Sequence, residues 1–140
     1  MTARLTRFTL DVRPGAHVVG DRLAADAAHA AAPGFVYLHG LGSVRDGEKS
    51  RSLLSYAAAR GRGFTRFDFR GHGESSGHLS DLLLSDVIAD GIAVLEEAGR
   101  SVLVGSSLGG LVASWVADAR PELVQALVLL APAFGFLHRL

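Results

Sequence analysis

The chain has 140 residues, 49% of them apolar, and its 14 acidic and 14 basic side chains cancel to a formal net charge of zero. This length suits one domain with its own core, and the neutral balance gives no electrostatic reason to expect nucleic acid or an anionic membrane as a partner. The absence of cysteine excludes disulfides and thiolate metal sites, and no apolar stretch approaches the roughly 20 residues of a membrane span.

The N-terminal region is predicted to form two strands, near residues 4–12 and 17–23, joined by a turn at Pro14-Gly15. Residues 24–32 are alanine-rich and end at Pro33-Gly34, which predicts a connecting loop or a short helix. From there strands and helices alternate. The predicted strands are 35–38, 64–68, 101–105 and 126–131, and the predicted helices are about 49–60, about 80–97 with Ser80 as N-cap, and 108–119.

This alternation predicts an α/β fold with a mostly parallel sheet and helices on both faces. Ligands of such sheets bind beyond the carboxyl ends of the strands, so the segments after each strand are expected to carry the chemistry. Two helices have an apolar face at helical spacing, and Pro121 is expected to end the second. These faces are Leu84, Ile88, Ile92 and Leu95 in the first, and Leu108, Leu111, Val112, Trp115 and Ala119 in the second.

One of these segments is the pentapeptide Gly105-Ser106-Ser107-Leu108-Gly109, which stands between an apolar strand and a helix. A Gly-x-Ser-x-Gly sequence in this context predicts a nucleophile elbow, in which Ser107 is the nucleophile. The glycines are needed because strand and helix nearly touch at such a turn. The alternative interpretation is a glycine-rich turn in an ordinary strand-helix-strand unit.

A second segment, His39-Gly40-Leu41-Gly42-Ser43, follows the first parallel strand. Its small residues would let backbone N–H groups point at one spot, which is typical of an oxyanion hole. The expected donors are the N–H groups of Leu41 and Leu108. The alternative is a plain turn in which His39 is a structural histidine.

The third segment runs from Asp68 to Gly77 and is dense in glycine and polar groups. Asp68 and His72 are expected to make structural hydrogen bonds near the strand end rather than to form a triad with Ser107. The glycine spacings do not fit a dinucleotide-binding or phosphate-binding loop, and no histidine pair has the spacing of a zinc site. Neither a metal nor a cofactor is therefore expected.

Together these residues resemble the α/β-hydrolase superfamily, and in detail the palmitoyl-protein thioesterase and acyl-glucuronide esterase family known as α/β-hydrolase-domain protein ten. The likeness runs from about Gly34 to Pro132. The motifs that carry it are His39-Gly40-Leu41-Gly42-Ser43 with Gly47 and Lys49, Arg66-Phe67-Asp68-Phe69 with Gly71-His72-Gly73, Ser75 and Gly77, Val104 to Gly110, and Arg120-Pro121-Glu122.

The resemblance implies an α/β-hydrolase fold truncated after the sixth strand, so that residues 1–140 form a single, incomplete domain, the N-terminal half of the family's fold. In this superfamily the triad acid and histidine follow the elbow on later strands, and neither Glu122 nor His138 stands where they would. The continuous apolar run 126–131 would moreover leave an uncharged sheet edge uncovered. Further sequence, a second copy of the chain or a partner is expected to cover that edge.

The resemblance also implies hydrolysis of carboxylic esters or thioesters through an acyl-enzyme on Ser107, with a small molecule or an acylated protein as substrate. Two alternatives stay open. One is a genuine short, non-catalytic binding or interaction protein, since a serine without its base is a poor nucleophile. The other is self-contained catalysis that uses His72 or His138. A cytoplasmic location is the default expectation, and the family resemblance also allows a mitochondrial one.

Overall fold

A mixed sheet of six strands organises residues 4–135, which are the residues that the computed structural model describes. Its strands are β1 (Leu5–Arg13), β2 (Ala16–Leu23), β3 (Gly34–Leu38), β4 (Phe64–Phe67), β5 (Ser101–Ser106) and β6 (Val124–Leu130). The helices are α1 (Glu48–Ala59), α2 (Leu84–Ala98) and α3 (Leu108–Ala119), with 3-10 turns at Ala27–His29, Leu79–Asp81 and Pro121–Leu123. The predicted order of strands and helices is confirmed.

The strand order is β1-β2-β4-β3-β5-β6. The hairpin of β1 and β2 is antiparallel and pairs antiparallel with β4, whereas β4, β3, β5 and β6 run parallel to one another. The carboxyl ends of four strands therefore meet at one edge of the sheet. This edge is where the three glycine-rich segments of the sequence lie.

The sheet is covered on both faces, because successive residues of a strand point to opposite sides. In β3, Val36 and Leu38 belong to the core under α2 and α3, whereas Tyr37 belongs to a second core with Ala57 of α1. The first core is the larger one. It contains the fully buried side chains of Phe67, Phe69, Val87, Val94, Leu95, Leu103, Val112 and Val116.

The sixth strand lies at an edge of the sheet with β5 as its neighbour within the described residues. Its residues are nearly all apolar, and the side chains of Leu127 and Val128 are 37% and 43% exposed. The strand at the other edge, β1, alternates apolar and polar residues. The apolar edge predicted for the last strand is thus present, and natural proteins rarely leave such an edge bare.

Two details of the helices differ from expectation. Helix α2 begins at Leu84, not near Ser80, because Leu82 and Leu83 are extended and Leu82 packs against the core.

In α3, Trp115 is 52% exposed and Ala119 is also exposed, although both belong to the apolar face predicted for this helix. The buried residues of α3 are Leu108, Gly109, Gly110, Val112, Ala113 and Val116. Gly109 lies against the backbone of Leu38, where an added Cβ would overlap the carbonyl oxygen, so this side of α3 meets the sheet and the side with Trp115 does not.

Among residues 4–135, no helix combines the length and apolar character needed to cross a bilayer.

Candidate active site

Ser107 stands between the end of β5 and the start of α3, and its backbone is strained. Its φ of 54° and ψ of −116° lie in a region that side-chain-bearing residues rarely occupy. Such a conformation typically costs about 1–3 kcal/mol and persists only where the surroundings enforce it. Ser107 is exposed while its neighbour Ser106 is buried. The turn therefore presents one of its two serines to solvent.

The glycines on either side of Ser107 are needed for space. A Cβ added to Gly105 would overlap the carbonyl oxygen of Gly109, and one added to Gly109 would overlap the carbonyl oxygen of Leu38. A Cβ on Gly110 would lie 3.0 Å from Pro132 Cβ. Backbone thus packs directly on backbone at this turn, as the sequence pattern predicts for a nucleophile elbow.

The loop of residues 39–43 lies beside this turn. A Cβ on Gly40 would be 3.6 Å from Ser107 Cβ, so these two residues are in contact range. Leu41 follows Gly40, and Leu108 is the first residue of α3, whose amide has no partner inside the helix. Within residues 4–135, neither the Leu41 nor the Leu108 N–H donates a hydrogen bond. Both amides are therefore available to an acceptor.

The two histidines in the neighbouring loops bind backbone groups. His39 Nε2 accepts from the N–H of Phe69 at 3.1 Å, and its Nδ1–H donates to the carbonyl of Gly40 at 2.7 Å. His39 is fully buried, and this burial lowers its pKa from 6.5 to about 4. His72 Nε2 accepts from the N–H of Gly42 at 2.9 Å, and its Nδ1 lies 3.1 Å from the carbonyl oxygen of Arg70.

Asp68 is buried and its carboxylate holds three donors. Oδ1 accepts from the N–H of Arg45 at 2.7 Å, and Oδ2 accepts from Arg45 Nη1 at 2.6 Å and from the N–H of Glu74 at 3.1 Å. These bonds connect the segment after the 39–43 loop to the loop that follows β4. Asp68 and His72 thus make the backbone hydrogen bonds expected of them.

Arg45 was not singled out by the sequence pattern, yet it binds three carboxylates. Besides Asp68, its Nε donates to Asp21 at 2.9 Å and its Nη2 to Glu74 at 2.7 Å. Burial by itself lowers the pKa of Arg45, but the hydrogen bonds to Glu74, Asp21 and Asp68 raise it above the usual value, so the guanidinium is charged. The sequence offers no signal for these pairs, because the partners lie 23 to 29 residues away.

Three further histidines lie within the described residues. His17 is in β2, which is separated from β5 by two strands. His29 pairs with Asp26 at 2.7 Å at the opposite end of the sheet, and His78 is an exposed residue. His138 lies outside the described residues. Within residues 4–135, no group of three or more histidine, aspartate or glutamate side chains is placed to hold a metal ion.

Comparison with known proteins identifies the fold that carries this turn. The sequence signature of the alpha/beta hydrolase fold matches residues 33–139. The chain belongs to the α/β-hydrolase fold family. Its mostly parallel sheet and flanking helices are those of the α/β-hydrolase fold, which confirms the predicted fold class.

Individual relatives of this chain agree with its membership of the α/β-hydrolase fold family. Palmitoyl-protein thioesterase ABHD10, mitochondrial, of Rattus norvegicus is 36% identical over 103 residues, which cover 72% of this chain and 35% of the relative. The putative esterase/lipase 2 of Mycoplasma genitalium is 32% identical over 102 residues, which cover 70% and 37%. The predicted resemblance to α/β-hydrolase-domain protein ten is confirmed.

A solved structure extends the likeness over nearly the whole hydrolase-fold chain. Mouse alpha/beta hydrolase domain-containing protein 10 superimposes with a TM-score of 0.86 and 31% sequence identity over 96% of this chain and 54% of that chain. The chain therefore spans about half the length of this solved relative and 35% of the length of the rat thioesterase.

Proposed function

We propose that this chain supplies the nucleophile and the oxyanion hole of a serine hydrolase that cleaves carboxylic esters or thioesters. The observation that carries the proposal is Ser107, an exposed serine in a strained turn at the N-terminus of α3 and in contact with the 39–43 loop. Strain of this kind is typical of functional positions, and the family is one of hydrolases.

In the proposed reaction, the Oγ of Ser107 attacks the carbonyl carbon of the ester or thioester. The C=O bond opens to a tetrahedral oxyanion, and the N–H groups of Leu41 and Leu108 donate hydrogen bonds to it. The intermediate collapses to an acyl-serine as the protonated alcohol or thiol leaves. Water then attacks the acyl-serine in the same way and releases the carboxylic acid and free Ser107.

The proton of Ser107 needs a general base, and the described histidines near this turn do not offer one. The Nε2 lone pairs of His39 and His72 already accept hydrogen bonds from backbone N–H groups. We therefore propose that the histidine and its acid lie outside residues 4–135 in the native polypeptide. Within residues 4–135 nothing pairs with the outer edge of β6, and further strands of a longer polypeptide, a second copy or a partner chain would each cover it.

The surroundings of Ser107 favour a substrate with an apolar acyl group. The side chain of Leu41, the residue after Gly40, is exposed beside the turn. The rat relative is named a palmitoyl-protein thioesterase, so a thioester of a fatty acyl chain, on a protein or a small molecule, is the proposed class.

We propose a mitochondrial location on the names of the relatives alone. The thioesterases from rat and human are both described as mitochondrial, whereas the default expectation of a cytoplasmic protein finds no support in them.

The test uses the polypeptide at its native length, recovered from its source cells, with its intact mass measured first. We expect a mass above that of 140 residues and covalent labelling by a fluorophosphonate probe. Ser107→Ala should abolish labelling and the hydrolysis of a palmitoyl thioester. Ser106→Ala, which changes the buried neighbouring serine, should keep both within about threefold.

Labelling that persists in Ser107→Ala would overturn the assignment of the nucleophile. A native polypeptide that ends at Leu140 and is not labelled would instead favour a non-catalytic binding or interaction protein. Labelling of such a short form that disappears when His72 or His138 is replaced would show self-contained catalysis.

A further inference from the structure

The 39–43 loop is fastened to the loop after β4 at a residue adjacent to Leu41. The N–H of Gly42 donates to His72 Nε2 at 2.9 Å. We propose that His72 is a positioning residue, which holds the Leu41 N–H in the orientation needed to bind the oxyanion. This inference rests on the proposed function of Leu41 and Ser107.

The hydrogen bonds of His72 define which of its nitrogens carries the proton. Nδ1 lies 3.1 Å from the carbonyl oxygen of Arg70, which can only accept a hydrogen bond, so Nδ1 is the donor. Nε2 of the neutral ring is then an acceptor, as the N–H of Gly42 requires. His72 is therefore matched in both position and tautomer to a backbone donor of the 39–43 loop.

Leu41 lies between two restrained glycines. On one side, Gly40 contacts the Ser107 turn, with its Cβ position 3.6 Å from Ser107 Cβ. On the other side, Gly42 has a φ of 73°, a left-handed conformation that turns the chain, and its N–H is bound by His72. The N–H of Ser43 also donates to the carbonyl of Gly40 at 3.1 Å, so the turn itself is closed by backbone. The His72 bond is the contact that fastens this turn, at the residue after Leu41, to the loop after β4.

His72 is itself held by a series of buried contacts. Its carbonyl partner Arg70 donates from Nε to Asp90 Oδ1 at 2.7 Å and from its backbone N–H to Asp90 Oδ2 at 2.9 Å. Asp90 is fully buried on α2. The ring of His72 also packs edge-on against the ring of His39, with centroids 4.8 Å apart. The acceptor nitrogen is thus anchored to α2 and does not depend on a mobile side chain.

The same geometry argues against His72 as the general base. A base needs a free lone pair within hydrogen-bond reach of the serine hydroxyl, and the lone pair of His72 Nε2 is bound to Gly42. A positioning residue and a base make different demands on the side chain. A glutamine amide oxygen can accept a hydrogen bond from Gly42 but cannot take a proton from Ser107.

The experiment compares His72→Ala, His72→Gln and His78→Ala in the native-length enzyme, with Ser107→Ala as reference. His78 is an exposed histidine of the same loop and serves as the matched control. We expect His72→Ala to lower kcat for thioester hydrolysis by about 10- to 100-fold with KM changed by less than about threefold, because only the transition state carries the oxyanion. His72→Gln should recover at least part of this loss, and His78→Ala should have the kcat of the unmodified enzyme.

The outcomes separate this inference from the proposed function. If Ser107→Ala still turns over, the proposed function fails. If Ser107→Ala is inactive while folded His72→Ala keeps the full kcat, only the positioning role is wrong. If folded His72→Gln is as inactive as Ser107→Ala, His72 acts in proton transfer instead.

A measurement on the unmodified enzyme covers the case in which the His72 variants do not fold. Nuclear magnetic resonance should show a scalar coupling between the amide nitrogen of Gly42 and Nε2 of His72 across their hydrogen bond. A His72 ring protonated on Nε2 at neutral pH, with no such coupling, would overturn the proposal.

Discussion

The turn around Ser107 and the loop after β4 lie at the same edge of the sheet, but they are stabilised by different means. At the turn, the backbone of Gly105 and Gly109 packs directly on other backbone atoms, which is possible because neither residue has a side chain. In the loop after β4, side chains make the contacts. Asp68, Arg70 and His72 each bind a backbone group or an ion partner from a segment distant in sequence.

These two kinds of contact should differ in how they tolerate substitution. A backbone contact has no flexible part, so an added methyl group must displace a strand or a helix. A side-chain contact can be weakened in steps, by removing a charge while keeping a hydrogen bond, for example. We therefore expect a single methyl group at the turn to cost most of the stability of the protein. In the loop after β4, we expect the loss of stability to depend on how many hydrogen bonds and charges a substitution removes.

The largest effect is expected for alanine at either glycine of the turn. Gly105→Ala and Gly109→Ala place Cβ on a carbonyl oxygen of Gly109 or Leu38, so both should prevent folding or cost more than about 4 kcal/mol. Gly47→Ala is the matched control, since its Cβ would meet only Val44 O at 3.8 Å and its φ is −100°. Urea unfolding followed by circular dichroism measures all three. Equal midpoints for Gly109→Ala and Gly47→Ala would contradict the backbone-contact argument.

A smaller effect is expected when the ion pair behind the loop is broken. Burial raises the pKa of Asp90, although its hydrogen bonds to Arg70 act in the opposite direction. Asp90→Ala leaves the buried Arg70 guanidinium with Asp86, 3.5 Å away, as its remaining carboxylate, so the loss should lie toward the lower end of the about 3–5 kcal/mol that a broken buried pair costs.

Asp90→Asn tests whether stability is lost in steps, because it removes the charge but keeps an amide oxygen that can accept one hydrogen bond from Arg70. It should cost clearly less free energy of unfolding than Asp90→Ala. Glu97→Ala removes an exposed carboxylate from the same helix and should change stability by less than about 0.5 kcal/mol. Equal losses of unfolding free energy for Asp90→Asn and Asp90→Ala would show that the remaining hydrogen bond does not stabilise the loop.

The smallest of the three effects concerns pH. The pKa of His39 is about 4 in the folded protein because the ring is buried, against 6.5 for an unburied histidine. On acidification the unfolded chain gains this proton near pH 6.5 and the folded chain only near pH 4. The contribution of His39 to the free energy of unfolding should therefore fall by about 3 kcal/mol between these two values, and this fall should end below pH 4. Asp90, whose pKa is raised by burial, acts in the opposite direction above pH 3.8.

Unfolding curves of the native-length protein and of His39→Gln across this pH range test the assignment. Glutamine keeps an acceptor for the N–H of Phe69 but does not titrate, so this part of the pH dependence should disappear. Hydrogen bonds to Arg45 and Arg66 lower the pKa of Asp21 against the effect of burial. Asp21 therefore adds to the fall in the free energy of unfolding only when the pH drops below its usual pKa of 3.8. An unchanged slope in His39→Gln would exclude His39 as its source.

Local patterns in the sequence predict the secondary structure well, and they fail where two elements meet. Ser80 has the character of an N-cap, yet α2 begins at Leu84 because Leu82 is drawn into the core. Trp115 continues an apolar stripe on α3, yet it is exposed because the glycine-rich first turn sets which side of the helix meets the sheet. In both cases packing overrides a local preference.

The order of strands and helices, the resemblance to the α/β-hydrolases and the sharp turn at Ser107 could all be read from local sequence, because each depends on periodicity or on glycines a few residues apart. The partners of Arg45, Asp68 and His72 emerge only from the folded chain. Their hydrogen bonds to one another and to the 39–43 loop join residues 23 to 30 positions apart. Such pairs follow from the sheet order and loop paths, which place the ends of β3 and β4 side by side, and no local pattern encodes them.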